Sequence, residues 1–389
     1  MRNKQQPTVC ILWFRNNFRL LDNPILNHIS YSGKYSNLIP LAIIPDQYMD
    51  PDLLSANRLN FYLEALNDLN KNLQAKFKQK LIILEGKYFE SIVYIINFVQ
   101  KQFSIPPENI TLAWELCLKS EFKTIDNKLK VHCQNNSLSI INKGYSTLWP
   151  ISSILQITDH KPPSNMSSFI EDLKQLPEPE KPLKIPKNIP PLLKDFLFYF
   201  ISNNSDFNEK NNSIRINLSE NVNYYFDPPS LKSYEKYFSQ NNITTSFEGG
   251  ETKALEIFNH YLQKSDNIFN FNKNKQNPVL IKPSSTTLSP YINLGCVSVR
   301  YFYFRVKQIY KIHQIKYKPE NTIIGQLCWR EFFYVMDTFQ DDSTKLEKQN
   351  KKEITQISQL DKFYISVWEN GKTGYPAIGS FYLKVISRR

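Results

Sequence analysis

Hydroxyl side chains crowd the segment of residues 283–295, which reads PSSTTLSPYINLG. Its Ser289-Pro290 step favours the start of a helix, because a serine side chain can cap a helix and proline suits the first helical position. Hydroxyls and the free N–H groups of a helix start complement the oxygens of a phosphate. The segment therefore predicts contact with a phosphate-bearing ligand.

A second polar group lies about one helix later, in QLCWREFF at residues 326–333. The spacings of four and three place Gln326, Arg330 and Phe333 on one face of a helix that is otherwise apolar. A polar pair beside an aromatic ring is typical of a lined pocket. Together the two segments predict a ligand that carries phosphate and a stacking ring.

The overall composition favours polyanionic partners without identifying one. The 389 residues carry a formal charge of +12, and aromatic residues make up 14% of them. An excess of positive charge attracts nucleic acid or anionic cofactors, and aromatic residues supply stacking surfaces. The same composition would also arise if the lysines only form a solvated surface and if the Phe, Tyr, Ile, Asn and Lys content reflects an AT-rich genome.

The cysteine pattern points away from metal binding and from secretion. Five cysteines are present, with no CxxC pair and no Cys/His spacing of the zinc type. The apolar run VCILWF near the N-terminus is too short for a signal peptide or a membrane span. We expect a soluble protein of the cytoplasm or nucleus, with no metal site and no membrane partner.

The elements that must hold these residues begin with an alternation of strands and helices. Apolar runs at 8–14, 38–46, 80–86, 109–115 and 137–144 predict strands, and residues 53–76, 91–103 and 121–134 predict helices between them. This order predicts an α/β domain over residues 1–150, an open, mostly parallel sheet with helices on both faces. Such sheets bind ligands beyond the carboxyl ends of their strands, but no GxGxxG fingerprint occurs.

The character of the chain changes after residue 150. Proline-dense stretches predict an interdomain connector over residues 151–227, in which the polar segment 201–213 is expected to be a mobile loop. Beyond residue 228 the periodicity is helical, with helices expected at 251–262, 298–312 and 321–339. We therefore expect an all-helical domain over residues 228–389.

Five segments in a fixed order resemble the photolyase/cryptochrome flavoprotein family. They are WFRNNFRLLDNPIL (13–26), FEGGETKAL (247–255), STTLSPYINLGCVSVRYFYF (285–304), GQLCWREFFY (325–334) and WENGKTGYP (368–376). The series is most similar to the branch of (6-4) DNA photolyases and animal-type cryptochromes. The resemblance implies an antenna-type α/β domain followed by a helical domain that binds FAD.

The same resemblance assigns roles to single residues. It implies that the loop binds the FAD phosphates, that two residues of the later helix lie beside the flavin and its phosphates, and that a tryptophan lies at the mouth of a pocket for a flipped-out base. In that order the residues are Ser285, Thr286, Leu288 and Ser289, then Gln326 and Arg330, then Trp329. A second antenna chromophore, of the folate or deazaflavin type, is also implied.

Each of these residues also fits a purely structural role. Ser289 alone would be interpreted as a helix cap, Arg330 as the ion-pair partner of Glu331, and Trp329 as a core residue. Trp13 and Arg15, which end the first strand, are expected to brace the sheet in any case.

The function that the resemblance implies is light-driven DNA repair. An excited reduced flavin donates an electron to a UV-induced pyrimidine photoproduct, here of the (6-4) type, so that UV-damaged DNA is the expected partner. The alternatives are a cryptochrome-like blue-light photoreceptor that binds signalling proteins, and an inactive remnant.

The chain departs from the family pattern after the TGYP motif. Relatives continue with a long run of helices, whereas this sequence reads AIGSFYLKVISRR from residue 377 to Arg389. We expect the FAD-binding domain to be incomplete at its C-terminus, whether by biology or by gene prediction, and to retain flavin weakly. The expected catalytic histidines lie beyond this point, so no catalytic residue is assigned.

Overall fold

The computed structural model describes most of the chain in several stretches. These are residues 6–50, 54–117, 120–202, 207–210, 213–219, 222–237, 247–269, 271, 286–314, 322–339, 359–370, 372 and 374. Eight strands form one sheet: β1 Val9–Phe14, β2 Asn37–Ile44, β3 Ile82–Gly86, β4 Ile110–Leu116, β5 Ser139–Tyr145, β6 Phe207–Lys210, β7 Ser213–Ser219 and β8 Val222–Tyr225.

The first four helices of the first half alternate with the first five strands, and three more follow β5. They are α1 Pro24–Tyr31, α2 Ala56–Phe77, α3 Tyr88–Phe103, α4 Ser120–Asn135, α5 Ile151–Ile157, α6 Met166–Leu173 and α7 Phe196–Ser202. The second half holds α8 Glu251–Gln263, α9 Ser265–Phe269, α10 Ser289–Leu294, α11 Val299–Ile312, α12 Ile323–Thr338 and α13 Gln359–Glu369. Short 3-10 helices occur at Asp46–Met49, Pro107–Asn109 and Leu231–Tyr234.

The parallel part of the sheet has the order β5-β4-β1-β2-β3, with Val9 in register with both Asn37 and Ile110. All six β1 residues are buried, as expected for a parallel strand covered on both faces. Alternate β1 residues enter two separate cores, so that Leu12 packs with α1 and α2 while Ile11 packs with α3 and α4. The expected α/β domain with helices on both faces is confirmed.

The sheet continues past β3 with strands that the sequence did not predict. β8 pairs antiparallel with β3, and β7 and β6 follow in antiparallel order. The expectation of a loop over residues 201–213 is therefore wrong, because strand β6 and the start of β7 lie within it. Buried Glu85 of β3 explains part of this pairing, since it accepts hydrogen bonds from the hydroxyls of Tyr225 (2.7 Å) and Tyr234 (3.0 Å).

Much of the proline-rich chain between α6 and α7 is tied to the α/β domain through its backbone. The Leu183 carbonyl accepts a 3.0 Å hydrogen bond from Asp22 N, in the segment after β1. Farther along, Leu38 N donates to the Pro191 carbonyl at 2.9 Å. Helices α5 to α7 and strands β6 to β8 also fall within residues 151–227, so the expected domain division stays a prediction.

The later helices pack on the α/β domain and on one another. α8 packs on α2, α11 packs on α8, α9 and α12, and α12 packs on α5 and α6. The helices expected at 251–262, 298–312 and 321–339 are α8, α11 and α12, so these three predictions are confirmed. In the described residues, no helix has the length and apolar character required to cross a membrane.

Candidate functional site

The hydroxyl-rich loop leads directly into α10, but the helix begins one residue earlier than expected. Leu288 occupies the N-cap position with near-helical angles (φ −86°, ψ −3°) and offers no side-chain cap. Ser289 is therefore the first helical residue, and the expectation that it caps the helix is wrong. Its side chain is exposed and makes no hydrogen bond to the described residues, so the hydroxyl is available to a ligand.

The other loop residues differ in exposure. Leu288 is fully buried in the core, whereas Thr286 is half-buried and its Oγ1 accepts a 3.4 Å hydrogen bond from Leu288 N. Thr287 has φ +55°, a left-handed conformation that turns the chain into α10. Ser285 lies outside the described residues.

A groove of about 550 Å³ separates α10 from α2. It lies past the end of β2, and aromatic side chains line it together with a few polar groups, among them Tyr48, Arg58, Phe61, Phe247, Ser289 and Asn293. The volume suits a small organic molecule. Because Arg58 brings a positive charge among aromatic rings, the groove can bind a planar anion.

Helix α12 begins at Thr322, whose side chain accepts a 3.2 Å hydrogen bond from Gly325 N. One turn later, the Nε2 atom of Gln326 is buried and has no hydrogen-bond partner among the described residues. A buried donor without a partner costs free energy, about 1–3 kcal/mol. Gln326 can therefore donate to a ligand that reaches it.

Arg330, one turn beyond Gln326, contacts the α/β domain. Its Nη1 donates to the Ser146 carbonyl at 2.6 Å and lies 3.4 Å from a Glu331 carboxylate oxygen. Its Nη2 donates to the Tyr334 hydroxyl at 3.3 Å. Since a guanidinium has five N–H groups, these bonds leave donors for a further partner.

Trp329 belongs to an aromatic cluster on the outer side of α12. Its ring stacks on Phe333 with centroids 5.9 Å apart and meets Phe332 edge-on at 5.8 Å. Phe333 is 62% exposed, although large aromatic side chains usually have low exposure. The cluster offers a flat apolar surface on which a ring can stack.

The expected site residues thus form two groups. Gln326, Trp329 and Arg330 lie within two turns of α12, whereas Thr286, Leu288 and Ser289 lie at the start of α10 beside α2. The structure leaves the role of each residue as a prediction.

A buried ionic cluster that sequence reasoning missed joins the front motif to α11. Arg300 holds both carboxylate oxygens of Asp22, with Nη2–Oδ1 at 2.6 Å and Nε–Oδ2 at 3.1 Å. The Ser298 hydroxyl also donates to Asp22, and Leu183 N donates to Asp22 Oδ1 at 2.8 Å. Asp22 is fully buried, so this charge is stabilised by partners from separate parts of the chain.

Arg19 and Glu251 extend the buried ionic cluster to α10 and α8. Arg19 Nη1 donates to the Gly295 carbonyl at 3.1 Å, and Glu251 accepts from the backbone N–H groups of Leu20 and Leu21 at 2.8 Å each. Gly295 has φ +71°, and a Cβ there would lie 1.8 Å from the Asn16 carbonyl oxygen. Only glycine permits this close approach.

A further buried carboxylate, on α12, likewise joins a later helix to the α/β domain. Glu331 is fully buried and accepts a 2.9 Å hydrogen bond from Leu148 N, beyond the end of β5. Burial raises the pKa of Glu331 to about 7, partly opposed by the nearby Arg330 charge. Burial likewise raises the pKa of Glu251 to about 7, opposed by the Leu20 and Leu21 N–H groups and by Arg19.

The sequence contained one signal for the buried ionic cluster. Asp22, Glu251 and Arg300 each lie within a segment that resembles the family, at positions near apolar residues. A charge in such surroundings indicates a buried partner. Their mutual pairing is invisible in sequence because the partners are more than 200 residues apart.

Known proteins with similar sequences include photolyases and cryptochromes. Residues 10–187 match the family model described as DNA photolyase. The chain is 28% identical to the (6-4) DNA photolyase of Arabidopsis thaliana over 387 residues, which cover 97% of this chain and 63% of that protein. The chain is thus similar to DNA photolyases, with the family model matching its N-terminal part.

Cryptochromes are similar to this chain at nearly the same level. Cryptochrome-2 of Gallus gallus is 25% identical over 94% of this chain and 57% of its own length. The chain therefore spans less than two thirds of these curated relatives.

Solved structures confirm the fold. A cryptochrome from Synechocystis matches with a TM-score of 0.72 at 20% identity, covering 98% of this chain and 72% of that one. A photolyase from Sulfolobus tokodaii, described with two FAD molecules, matches with a TM-score of 0.59 at 16% identity over 95% of this chain and 69% of that one. The expected fold class, an α/β domain followed by a helical domain, is confirmed.

Proposed function

We propose that this protein takes part in FAD-dependent, blue-light-driven repair of UV-induced pyrimidine photoproducts in DNA, of the (6-4) type. The observation that carries the proposal is the alignment of 97% of the chain with a (6-4) DNA photolyase. The flavin supplies the light-driven electron transfer when bound. The tasks of the protein are to bind and orient the cofactor, to exclude water and to hold the damaged base.

The unpartnered Nε2 of Gln326 supports the flavin assignment. A buried donor of this kind suits a carbonyl or ring nitrogen of a bound cofactor. The exposed Ser289 hydroxyl and the half-buried Thr286 hydroxyl suit phosphate oxygens. Arg330 keeps unused N–H groups beside its bond to Ser146, so it can add a charge-assisted bond to an anionic group.

The groove between α2 and α10 lies beside these hydroxyls, because Ser289 is one of its lining residues. Its aromatic walls favour a planar ring, and Arg58 supplies a positive charge for an anionic group of the cofactor. Replacing Arg58 by alanine should therefore weaken FAD binding, whereas Lys87→Ala, at the start of α3, should not. Equal affinity of the two variants for FAD would contradict this placement.

Trp329 and Phe333 form the proposed stacking surface for a damaged base. The two rings lie parallel within 28° on α12, and Phe333 faces outward. Stacking on an aromatic ring contributes about 1–3 kcal/mol per base. UV-damaged DNA is accordingly the proposed partner.

A photosensory role is the second candidate, because cryptochromes match this chain over nearly the same length as the photolyase. Such a protein would bind signalling proteins in a light-dependent manner and leave the lesion intact. An inactive remnant would do neither.

One experiment separates these functions. The purified protein is loaded with FAD, reduced, and illuminated with blue light in the presence of an oligonucleotide that carries one (6-4) photoproduct. Loss of the lesion only in the light supports repair. Flavin photoreduction with an intact lesion supports the photosensory role, and failure to bind FAD contradicts both.

The contribution of Gln326 is tested by flavin retention. Gln326→Leu should release FAD more readily, with a Kd about tenfold higher for the loss of one net hydrogen bond to a buried partner. Gln308→Leu is the control, since Gln308 is exposed on α11. Unchanged retention in Gln326→Leu would place the flavin elsewhere.

A further inference from the structure

The proline-rich segment before α7 carries three lysines at intervals of three residues. Lys181, Lys184 and Lys187 are all exposed, whereas Pro179 and Pro186 between and beside them are buried. A period of three is that of an extended polyproline helix, in which every third side chain points the same way. We call these three residues the lysine stripe.

The acidic residues of the segment pair with residues of α11 and not with the lysine stripe. Glu180 pairs with buried Arg300 at 3.1 Å, and Glu178 pairs with Lys307 at 2.7 Å, both on α11. The three lysines form no ion pair with any described residue. Both glutamates thus contact cations of α11, whereas the three lysines face solvent.

Hydrogen bonds to the backbone hold the lysine stripe in place. Leu183 N donates to Asp22 Oδ1, the Asn188 carbonyl accepts from the Ser30 hydroxyl at 2.5 Å, and Gln79 Nε2 donates to the Pro190 carbonyl at 3.3 Å. Because the backbone within and after the stripe is fixed, little conformational entropy is lost when its lysines bind a partner.

Lysines near α1 add positive charge beside the lysine stripe. His28 on α1 is exposed, and its pKa is lowered by partial burial and then by the charges of Lys143 and Lys34. α1 also carries Ser30, whose bond to Asn188 joins the helix to the segment next to Lys187. The stripe therefore continues into a wider basic surface.

We propose that the lysine stripe binds the phosphate backbone of double-stranded DNA. In a polyproline helix the lysines are about 9 Å apart, so each reaches a different phosphate. No aromatic residue lies between them to stack an unpaired base, so a paired duplex is the favoured form of nucleic acid. The contact is independent of sequence and damage, and it requires neither light nor flavin.

The test measures binding of the full chain to an undamaged 20-base-pair duplex in the dark, over a range of salt concentrations. Each phosphate contact contributes about 0.9 to the slope of log K against log salt. The triple variant Lys181→Ala, Lys184→Ala, Lys187→Ala should reduce that slope by about 2.7. The triple variant Lys123→Ala, Lys128→Ala, Lys130→Ala, on α4, removes the same charge and should leave the slope unchanged.

A slope unchanged in the stripe variant would overturn the proposal, and so would an equal reduction in both variants, which would indicate a general charge effect. Loss of binding to vesicles of anionic lipid with unchanged DNA binding would also overturn it, in favour of a membrane. Thermal unfolding of both variants verifies that each is folded. Failure of the repair experiment leaves this result unaffected, because no lesion is used here.

Discussion

The raised pKa values of Glu251 and Glu331 predict an unusual dependence of stability on pH, which Glu251 tests most directly. Its carboxylate holds the segment after β1 to the start of α8 through Leu20 N and Leu21 N. Burial raises its pKa from the ordinary 4.5 to about 7. The folded state therefore binds the proton more tightly than the unfolded state does.

Proton linkage determines whether the free energy of unfolding rises or falls with pH. Between pH 4.5 and pH 7 the folded protein holds more protons than the unfolded chain, so the free energy of unfolding falls as pH rises. The stabilisation is complete below pH 4.5 and is lost as pH rises through 7. A pKa difference of about 2.5 corresponds to about 3.4 kcal/mol.

Glu251→Gln removes this titration and keeps the shape of the side chain. At about pH 5 the variant should be less stable by about 1–3 kcal/mol, because its NH2 group faces a backbone N–H and one hydrogen bond is lost. At about pH 8 the wild type has lost its roughly 3.4 kcal/mol, so the variant should equal or exceed it. The two stability curves should cross between about pH 6 and pH 7.

Urea unfolding at about pH 5, 6, 7 and 8 measures these free energies. Glu256→Gln is the matched control: it lies on the same helix, is exposed and pairs with Lys253, so its effect should stay within about 0.5 kcal/mol at every pH. If the loss of stability in Glu251→Gln is instead greatest at the highest pH, the two N–H donors and Arg19 affect the pKa of Glu251 more than burial does. That result would refute the reasoning.

Three further changes test other contacts between the α/β domain and the later helices. Glu331→Gln should repeat the crossing of stability curves in the same urea series, and a cost that grows with pH would contradict it. Asp22→Asn should cost about 3–5 kcal/mol in urea unfolding, since it leaves the Arg300 charge buried without its partner; a cost below about 1 kcal/mol would show that the pair contributes little. Gly295→Ala should lower the free energy of unfolding by about 3 kcal/mol, because its Cβ would overlap the backbone of Asn16. Gly33→Ala should lower it by only about 1 kcal/mol, because Gly33 has a similar positive φ but open space around it. Similar losses in both variants would show that the backbone conformation, and not the overlap, determines the cost.

The parallel sheet could be predicted from the sequence because local signals specify it. Strands buried on both faces appear as continuous apolar runs, and the helices between them repeat apolar residues at three and four. Strands β6 and β7 were missed because asparagine and serine are frequent in residues 201–213, where β6 lies and β7 begins. They join the sheet through β8, whose pairing with β3, more than a hundred residues earlier, depends partly on the hydrogen bonds that Glu85 accepts.

The candidate site was predictable in its residue types and less so in its contacts. The helical spacing correctly placed Gln326 and Arg330 one turn apart on α12. The bond from Arg330 to the Ser146 carbonyl could not be foreseen, because it depends on where β5 ends relative to α12. The start of α10 was placed one residue late, since Ser-Pro favours a cap but the near-helical Leu288 extends the helix.

The buried ionic cluster also limits what motif matching can show about activity. Asp22, Glu251 and Arg300 belong to three of the segments that resemble the family, yet their contacts in this structure hold the α/β domain against α8 and α11. A chain that had lost its light reaction would still need them to fold, since removing one partner of a buried pair costs several kcal/mol. The presence of these motifs therefore reflects a packing requirement and does not by itself indicate a light reaction.

Gln326 is different, because its buried Nε2 satisfies nothing in the described fold and costs stability as it stands. A side chain kept only for packing would lose nothing on replacement by leucine, which has a similar volume and no donor to satisfy. Gln326→Leu should therefore keep or raise the free energy of unfolding of the flavin-free chain while it weakens FAD retention. This opposition between stability and binding makes the variant a sharper measure of function than any count of matched motifs.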